Sequence, residues 1–124
     1  MRRALLLPIF FALGCGGSSG FRIDNVALSP EDVPVNPGGT ETLHFSADIF
    51  DDLHVVTSAW VQTENGPLWI DLVRGVDPHW SVAVPLGALN GLPVGTYRFD
   101  IHAEDDGGRR VLLQDAVRLK IRLN

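Results

Sequence analysis

Residues 95–107 read GTYRFDIHAEDDG, and this stretch decides the fold class. Apolar side chains occupy every second position from Tyr97 to Ala103 and alternate with polar ones. A period of two is typical of a β-strand with one buried face, and the Asp-Asp-Gly run that follows favours a tight turn. We therefore expect an all-β protein whose strands are joined by short turns.

The same alternation recurs on both sides of this stretch, between turns rich in Gly, Pro, Asn and Asp. It predicts seven strands, over residues 21–28, 41–50, 55–63, 68–73, 79–86, 96–104 and 110–123. We expect one antiparallel β-sandwich domain over 21–124, with Trp80 and Phe99 buried between its sheets. Pro85 should lie at a strand end or edge because it has no N–H, and a change of phase before Val26 indicates a bulge.

The composition restricts the class of protein. The chain has 124 residues, of which 45% are hydrophobic and 20% charged, a balance that suits one globular domain and excludes a disordered chain. Its formal net charge of −5 argues against nucleic-acid binding, because phosphate contacts need a basic surface. The acidity also gives no attraction to an anionic membrane, so any membrane attachment must be covalent.

The first fourteen residues have the features of a secretory signal peptide. Arg2 and Arg3 precede an apolar run over 4–13, which is too short to cross a bilayer because a spanning helix needs about 20 residues. We predict a cleaved signal peptide over 1–14, and its removal takes the formal net charge from −5 to −7. A buried amino-terminal strand or helix is the alternative, although it leaves the two arginines unexplained.

The signal peptide ends in Ala-Leu-Gly and is followed by Cys15, the one cysteine of the chain. This run resembles the lipobox of bacterial lipoproteins. The resemblance implies that Cys15 receives a diacylglyceryl group and becomes the first residue of the mature protein, so that residues 15–20 are the lipidated end and a flexible tether. Gly16, in place of the aspartate that marks inner-membrane retention, implies a location in the bacterial cell envelope at the outer rather than the inner membrane.

Several short motifs resemble bacterial immunoglobulin-like and fibronectin-III-like domains. They are Pro37-Gly38-Gly39-Thr40, Trp80-Ser81, Val84-Pro85-Leu86, Gly95-Thr96-Tyr97 and Ala103-Glu104-Asp105-Asp106-Gly107. The resemblance implies an immunoglobulin-like sandwich that serves as a spacer, an adhesin or an accessory module. It places Tyr97 at a tyrosine corner, whose hydroxyl bonds to nearby backbone, although a plain core aromatic is equally compatible.

Nothing in the sequence has the spacing of a catalytic site. The lone cysteine is assigned to lipid, and no serine lies in a nucleophile elbow. The histidines are scattered without the spacing of a metal-binding pair; they are His44, His54, His79 and His102. We expect a protein that is not an enzyme and has no catalytic residue.

Five carboxylates fall in two loops that an immunoglobulin-like sandwich brings to the same pole. They are Asp51, Asp52, Glu104, Asp105 and Asp106. Because Ca²⁺ binds oxygen ligands from carboxylates, carbonyls and water, a calcium site is one interpretation. The other is that both loops are simply solvated.

Trp60 falls in the outward phase of the strand predicted over 55–63, so we expect an exposed indole. The neighbouring strands would add polar side chains to the same face, namely Arg98, Asp100, His102, Arg118 and Lys120. An exposed tryptophan among hydrogen-bonding groups is typical of a binding surface. Alternatively, Arg98 or Arg118 covers the indole in a cation–π contact and the face is only solvated.

Together these features predict a membrane-anchored, non-catalytic envelope lipoprotein that binds a protein partner or a surface glycan. The alternative is a structural spacer or an accessory subunit of a larger cell-envelope complex. The two differ in whether the face around Trp60 holds a ligand.

Overall fold

The computed structural model describes residues 20–39, 41–64 and 68–123. The signal peptide predicted over 1–14, the lipidation predicted at Cys15 and the tether up to Ser19 lie outside these residues and stay predictions. Within the described residues, no helix has the length and apolar character that a transmembrane segment needs.

The described residues form an all-β fold of two sheets, as predicted. The strands in chain order are β1 (Phe21–Ser29), β2 (Asp32–Pro34), β3 (Thr42–Asp51), β4 (Val56–Thr63), β5 (Trp69–Asp71), β6 (Val73–Arg74), β7 (His79–Pro85), β8 (Gly95–Asp105) and β9 (Arg110–Arg122). A 3₁₀ helix over Leu86–Leu89 follows β7. One sheet has the order β1-β3-β7-β6, and the other has the order β2-β9-β8-β4-β5.

The core lies between the two sheets and is filled by the inward side of each alternating strand. Phe45 and Phe99, from opposite sheets, meet edge to face with their ring centroids 5.1 Å apart. Phe99 is 0% exposed and Trp80 is 4% exposed, so the burial predicted for both is confirmed. Burial of one such side chain contributes about 1.5–3 kcal/mol.

The strand connectivity differs from the seven antiparallel strands predicted. The segment predicted over 68–73 divides at Leu72, because β5 pairs with β4 in one sheet and β6 pairs with β7 in the other. The Leu72 side chain is buried and its N–H donates to the Ala59 carbonyl at 2.8 Å, so the chain changes sheets at the edge of the core. β2 runs parallel to β9. It was not predicted, because a strand of three residues that ends in Pro34 is too short to show an alternation of apolar and polar side chains.

Two local irregularities confirm what the sequence predicts. Pro85 ends β7, opposite Thr42, where its missing N–H interrupts no ladder. The register of β1 against β3 shifts between Asp24 and Ala27, and Asn25 there has a positive φ of 53°. Asparagine is one of the few residues that adopt this left-handed conformation readily, so the bulge has a local cause.

Tyr97 fastens β8 to the connection that precedes it. Its ring is half-buried, and its hydroxyl donates to the Pro93 carbonyl at 2.6 Å. This is the backbone hydrogen bond predicted for a tyrosine corner, so Tyr97 does more than fill space in the core. We call this end of the sandwich, with the connection 86–94, the far pole.

The opposite end is the entry pole, where the described chain begins. It consists of Gly20 and the loops 52–55, 75–78 and 106–109. The Asp52 N–H donates to the Gly20 carbonyl, and the Asp106 N–H donates to the Val55 carbonyl, both at 2.9 Å. Hydrogen bonds therefore tie two of these loops to each other and to the entering chain.

Candidate functional site

The outer face of the five-stranded sheet carries aromatic rings on three adjacent strands. Trp60 on β4 pairs with His102 on β8 and with Asp71 on β5, while Trp69 pairs with Gln62. Because paired residues and those two positions away share one face of a sheet, the rings of Trp69, Trp60 and His102 lie side by side. We call these three side chains the aromatic row.

The rings of the aromatic row are stacked in parallel. The centroid of Trp60 lies 5.0 Å from that of Trp69 at an interplanar angle of 7°, and 5.1 Å from that of His102 at 4°. Because β5 and β8 flank β4 on opposite sides, Trp60 is the middle ring. Trp69 is oriented further by its Nε1, which donates to Asp71 Oδ1 at 3.0 Å.

The burial of Trp60 corrects the prediction that its indole is exposed. Trp60 is 7% exposed, whereas Trp69 is 57% exposed. The alternation of apolar and polar residues indicates which face of the sheet a side chain occupies. It does not indicate which side chains of the neighbouring strands cover that side chain. The exposed aromatic surface of this face therefore belongs to Trp69, on the edge strand β5.

The cation nearest Trp60 is also different from the prediction. The guanidinium carbon of Arg110 lies 5.9 Å from the Trp60 ring centroid, in the position that sequence reasoning gave to Arg98 or Arg118. Arg118 is held instead by Asp115, with Nη2 and Oδ2 2.5 Å apart. The Trp60 Nε1 is buried and has no hydrogen-bond acceptor among the residues that the structure describes.

The environment of His102 favours its neutral form. Burial lowers the pKa of His102, and the positive charge of Arg110 acts in the same direction, while the negative charge of Asp100 opposes them. A neutral imidazole stacks on Trp60 without bringing an unpaired charge onto the aromatic surface.

The other predicted residues lie farther along the same face, on β8 and β9. Arg98 pairs with Arg118 across the two strands, and Lys120 follows two positions later. The register of β8 against β9 shifts between Phe99 and Ile101. At this bulge, Asp100 Oδ1 accepts the Asp115 N–H at 2.8 Å. This face thus has an aromatic half formed by the row and a charged half formed by these side chains.

The entry pole brings together three of the five predicted calcium ligands, around the guanidinium of Arg109. Arg109 Nη2 lies 2.6 Å from Asp51 Oδ1 and 3.5 Å from Asp52 Oδ1, and its Nε lies 2.9 Å from Asp105 Oδ2. The side chains of Asp51 and Asp105 are 2% and 0% exposed. Arg109 therefore supplies the positive charge that these buried carboxylates need.

These carboxylates also shape the two loops. Asp51 Oδ1 accepts the N–H groups of Leu53 and His54, both at 3.0 Å. Asp105 Oδ1 accepts the N–H groups of Gly107 at 3.0 Å and Arg109 at 2.8 Å. Although burial opposes the shift, the side-chain contacts with Arg109 and Asp51, together with these N–H groups, lower the pKa of Asp105 to about 2.

The two remaining predicted ligands point to other partners. Glu104 lies 3.3 Å from Arg110 Nε on the outer sheet face, and Asp106 lies 3.0 Å from His54 Nδ1. Over residues 20–39, 41–64 and 68–123, no group of three or more His, Cys, Asp or Glu side chains has the arrangement of a metal site. The calcium interpretation is therefore not supported, because it overlooked Arg109 in the second loop.

A groove of about 400 Å³ opens at the entry pole. One wall is Arg74, whose guanidinium lies over the Trp80 ring at 4.7 Å and donates to the Val56 carbonyl. This arginine closes the apolar core at the point where the two sheets separate. Its role is accordingly structural.

The two clusters differ in what they can do chemically. Arg109 and its carboxylates hold loops together, whereas the aromatic row presents a rigid, exposed indole that can stack on an apolar group. Neither Arg109 nor Trp69 is among the site residues predicted from the sequence. The signals that could have pointed to them are a basic residue inside an acidic loop and an aromatic residue in a short strand. A scan against protein-family models and a search of curated proteins find no match to this chain.

Proposed function

We propose that this chain is a non-catalytic lipoprotein of the bacterial cell envelope whose β-sandwich binds a protein or a surface glycan through the aromatic row. The lipid on Cys15 anchors it to a membrane, the outer rather than the inner one. The observation that carries the proposal is an indole that is 57% exposed yet held in a fixed orientation by its neighbours.

The orientation of Trp69 matters because binding usually costs conformational entropy. Stacking on Trp60 and the bond to Asp71 hold the Trp69 ring in one position before any ligand arrives. A ligand then gains apolar contact with the indole without paying to order it. Tryptophan is also among the residues that contribute most to binding energy at interfaces.

An immunoglobulin-like identity for the sandwich is part of the proposal. The order β1-β3-β7-β6 corresponds to strands A-B-E-D of that fold, and β9-β8-β4 corresponds to G-F-C. The hydrogen bond from Tyr97 to the Pro93 carbonyl has the place of a tyrosine corner in this scheme. Folds of this class serve many functions, so the function rests on the row and not on the fold.

The anchor is tested by mass spectrometry of the mature protein. We expect a chain that begins at Cys15, carries a diacylglyceryl group and partitions into detergent. Cys15→Ser should remain unprocessed or become soluble. An unmodified thiol on the mature protein would contradict the anchor.

The binding face is tested by affinity capture of the intact lipoprotein from its own membranes, in parallel with titration of the purified protein with envelope polysaccharide. Trp69→Ala should weaken recovery of the partner, or glycan affinity, at least about tenfold, as expected for a residue that dominates an interface. Val73→Ala is the matched control, because Val73 is 62% exposed on the other sheet. Equal binding by both variants would reject the aromatic row as the site.

A further inference from the structure

Three apolar side chains project from the loops of the entry pole. Leu53 is 70% exposed and Val55 is 57% exposed in the loop 52–55, and Val76 is 87% exposed in the loop 75–78. Exposed apolar residues that cluster at one end of a domain mark an interaction surface more often than residues scattered singly.

The loops that carry these side chains are held in place by hydrogen bonds. Asp51 Oδ1 accepts the Leu53 N–H at 3.0 Å, and the Val76 carbonyl accepts the His79 N–H at 2.8 Å. The Pro78 carbonyl accepts the Ile49 N–H at 2.9 Å, which ties the second loop to the end of β3. The three exposed apolar side chains therefore project from loops whose backbone is held by hydrogen bonds.

The position of the chain entry identifies what these side chains face. Cys15 precedes Gly20 by five residues, which reach at most about 18 Å when fully extended. Gly20 is itself hydrogen-bonded to the loop that carries Leu53, through the Asp52 N–H. A lipid on Cys15 would hold this pole within that distance of the bilayer surface. The far pole stays remote, because the ten residues of β3 alone span about 33 Å.

We propose that the entry pole rests on the lipid bilayer that holds the anchor, with Leu53, Val55 and Val76 at the boundary between headgroups and acyl chains. This inference rests on the lipidation in the proposed function. It adds a second attachment to the covalent one, because apolar side chains gain free energy when they leave water for the interface.

The charge of the pole selects the kind of lipid surface. Three carboxylates, those of Asp52, Asp77 and Asp106, lie in these three loops against one arginine, Arg109, so the loops are acidic even after that cation is counted, and the mature chain is acidic overall. Anionic headgroups would repel these carboxylates, so the pole should dock on zwitterionic phosphatidylethanolamine and lift from a strongly anionic surface. Docking would also hold the strands upright, so that the aromatic row faces sideways along the membrane plane.

The test uses the full mature lipoprotein in phosphatidylethanolamine–phosphatidylcholine vesicles. Because Cys15 is the one native cysteine and its thiol would carry the lipid, an introduced cysteine is the only free thiol for a nitroxide label. Leu53→Cys and Val76→Cys report on the entry pole, and Val94→Cys, at a residue 49% exposed at the far pole, is the control. All three positions are exposed, so the substitutions leave the core intact.

Collision rates of each label with oxygen and with a water-soluble nickel chelate measure its depth. We expect the oxygen-to-nickel ratio at positions 53 and 76 to exceed that at position 94 at least threefold, and to fall when anionic lipid is added. Equal ratios at all three positions, on protein that floats with the vesicles, overturn docking but leave the anchor intact. Protein that does not float overturns the anchor, and docking with it. Spectra of the labels at 53 and 76 that are broadened in vesicles and sharpen when the labelled protein is diluted with unlabelled protein would indicate that a second protein copy covers the pole, and would also overturn the proposal.

Discussion

Arg109 and Asp51 are separated by 58 residues, yet the guanidinium Nη2 lies 2.6 Å from the carboxylate Oδ1. The same arginine binds Asp105 through its Nε, so one side chain connects the loop after β3 with the loop after β8. Both carboxylates are almost fully buried, while Arg109 is 32% exposed. A charge cluster therefore links two loops of the entry pole, in addition to the backbone hydrogen bonds between them.

Removal of Arg109 should destabilise the domain far more than removal of a surface arginine. Arg109→Met would leave the buried carboxylates of Asp51 and Asp105 without their counter-ion. We expect the melting temperature to fall by about 5 °C or more, measured by circular dichroism. Arg118→Met is the control, because the Arg118–Asp115 pair is exposed and such pairs contribute little. Equal decreases in melting temperature for the two variants would contradict the role of Arg109 as the counter-ion of the buried carboxylates.

The pH dependence of stability should reflect Asp105. Its pKa in the folded protein is lowered from 3.8 to about 2, so the carboxylate contributes stability above about pH 4 that is lost as the pH falls through about 2. Asp48, whose pKa is lowered by bonds from Asn25 and His79, acts in the same direction. We expect the melting temperature to be level above about pH 7. It should decrease slightly below that, because the buried His102 takes up a proton more readily in the unfolded chain, and it should decline further below about pH 4.

The variant Asp105→Asn separates this contribution from the others. It should melt at a lower temperature than the wild type at pH 7, and its decline between about pH 4 and pH 2 should be shallower. A decline parallel to that of the wild type would show that other carboxylates account for the acid sensitivity.

Burial of His102 in the aromatic row should be visible in its titration. Its pKa is lowered by burial and by Arg110 and raised by Asp100, so Arg110→Gln should raise the pKa and Asp100→Asn should lower it further. The ring proton shifts of His102 in a pH series of NMR spectra measure this. Arg122→Gln, at an arginine paired with Asp32 on the far edge of the sheet, should leave it unchanged. Shifts of the opposite sign would contradict the positions of Arg110 and Asp100 relative to His102.

The core should be intolerant of truncation at its aromatic residues. Phe99→Ala and Trp80→Ala each remove a buried ring, which costs about 3–5 kcal/mol in comparable proteins. Against a total stability of about 5–15 kcal/mol, either variant would be marginal or unfolded. Chemical denaturation measures the loss, and Val73→Ala at an exposed position should change the free energy of unfolding by less than about 0.5 kcal/mol.

Several features of this fold could be predicted from local chemistry. The alternation from Tyr97 to Ala103 places Phe99 in the core because a strand has only two faces. Pro85 ends a strand because it lacks a donor, and Asn25 sits at a bulge because it tolerates a positive φ. Each of these conclusions depends on one segment and its own backbone.

Other features depend on which segments become neighbours. The change of sheet at Leu72 and the parallel pairing of β2 arise from contacts with distant strands, which a local period does not encode. The same holds for the calcium interpretation, in which the two acidic loops meet but Arg109 fills the space between them.

By itself, the sequence determined the all-β class, the inward side of the long strands and the burial of Trp80 and Phe99, because these follow from a period of two and from the physics of apolar side chains. The tertiary structure alone decided that Trp60 is covered while Trp69 is exposed. The reason is that exposure depends on the side chains that adjacent strands place across a ring, and strand order is set by the packing of the whole domain.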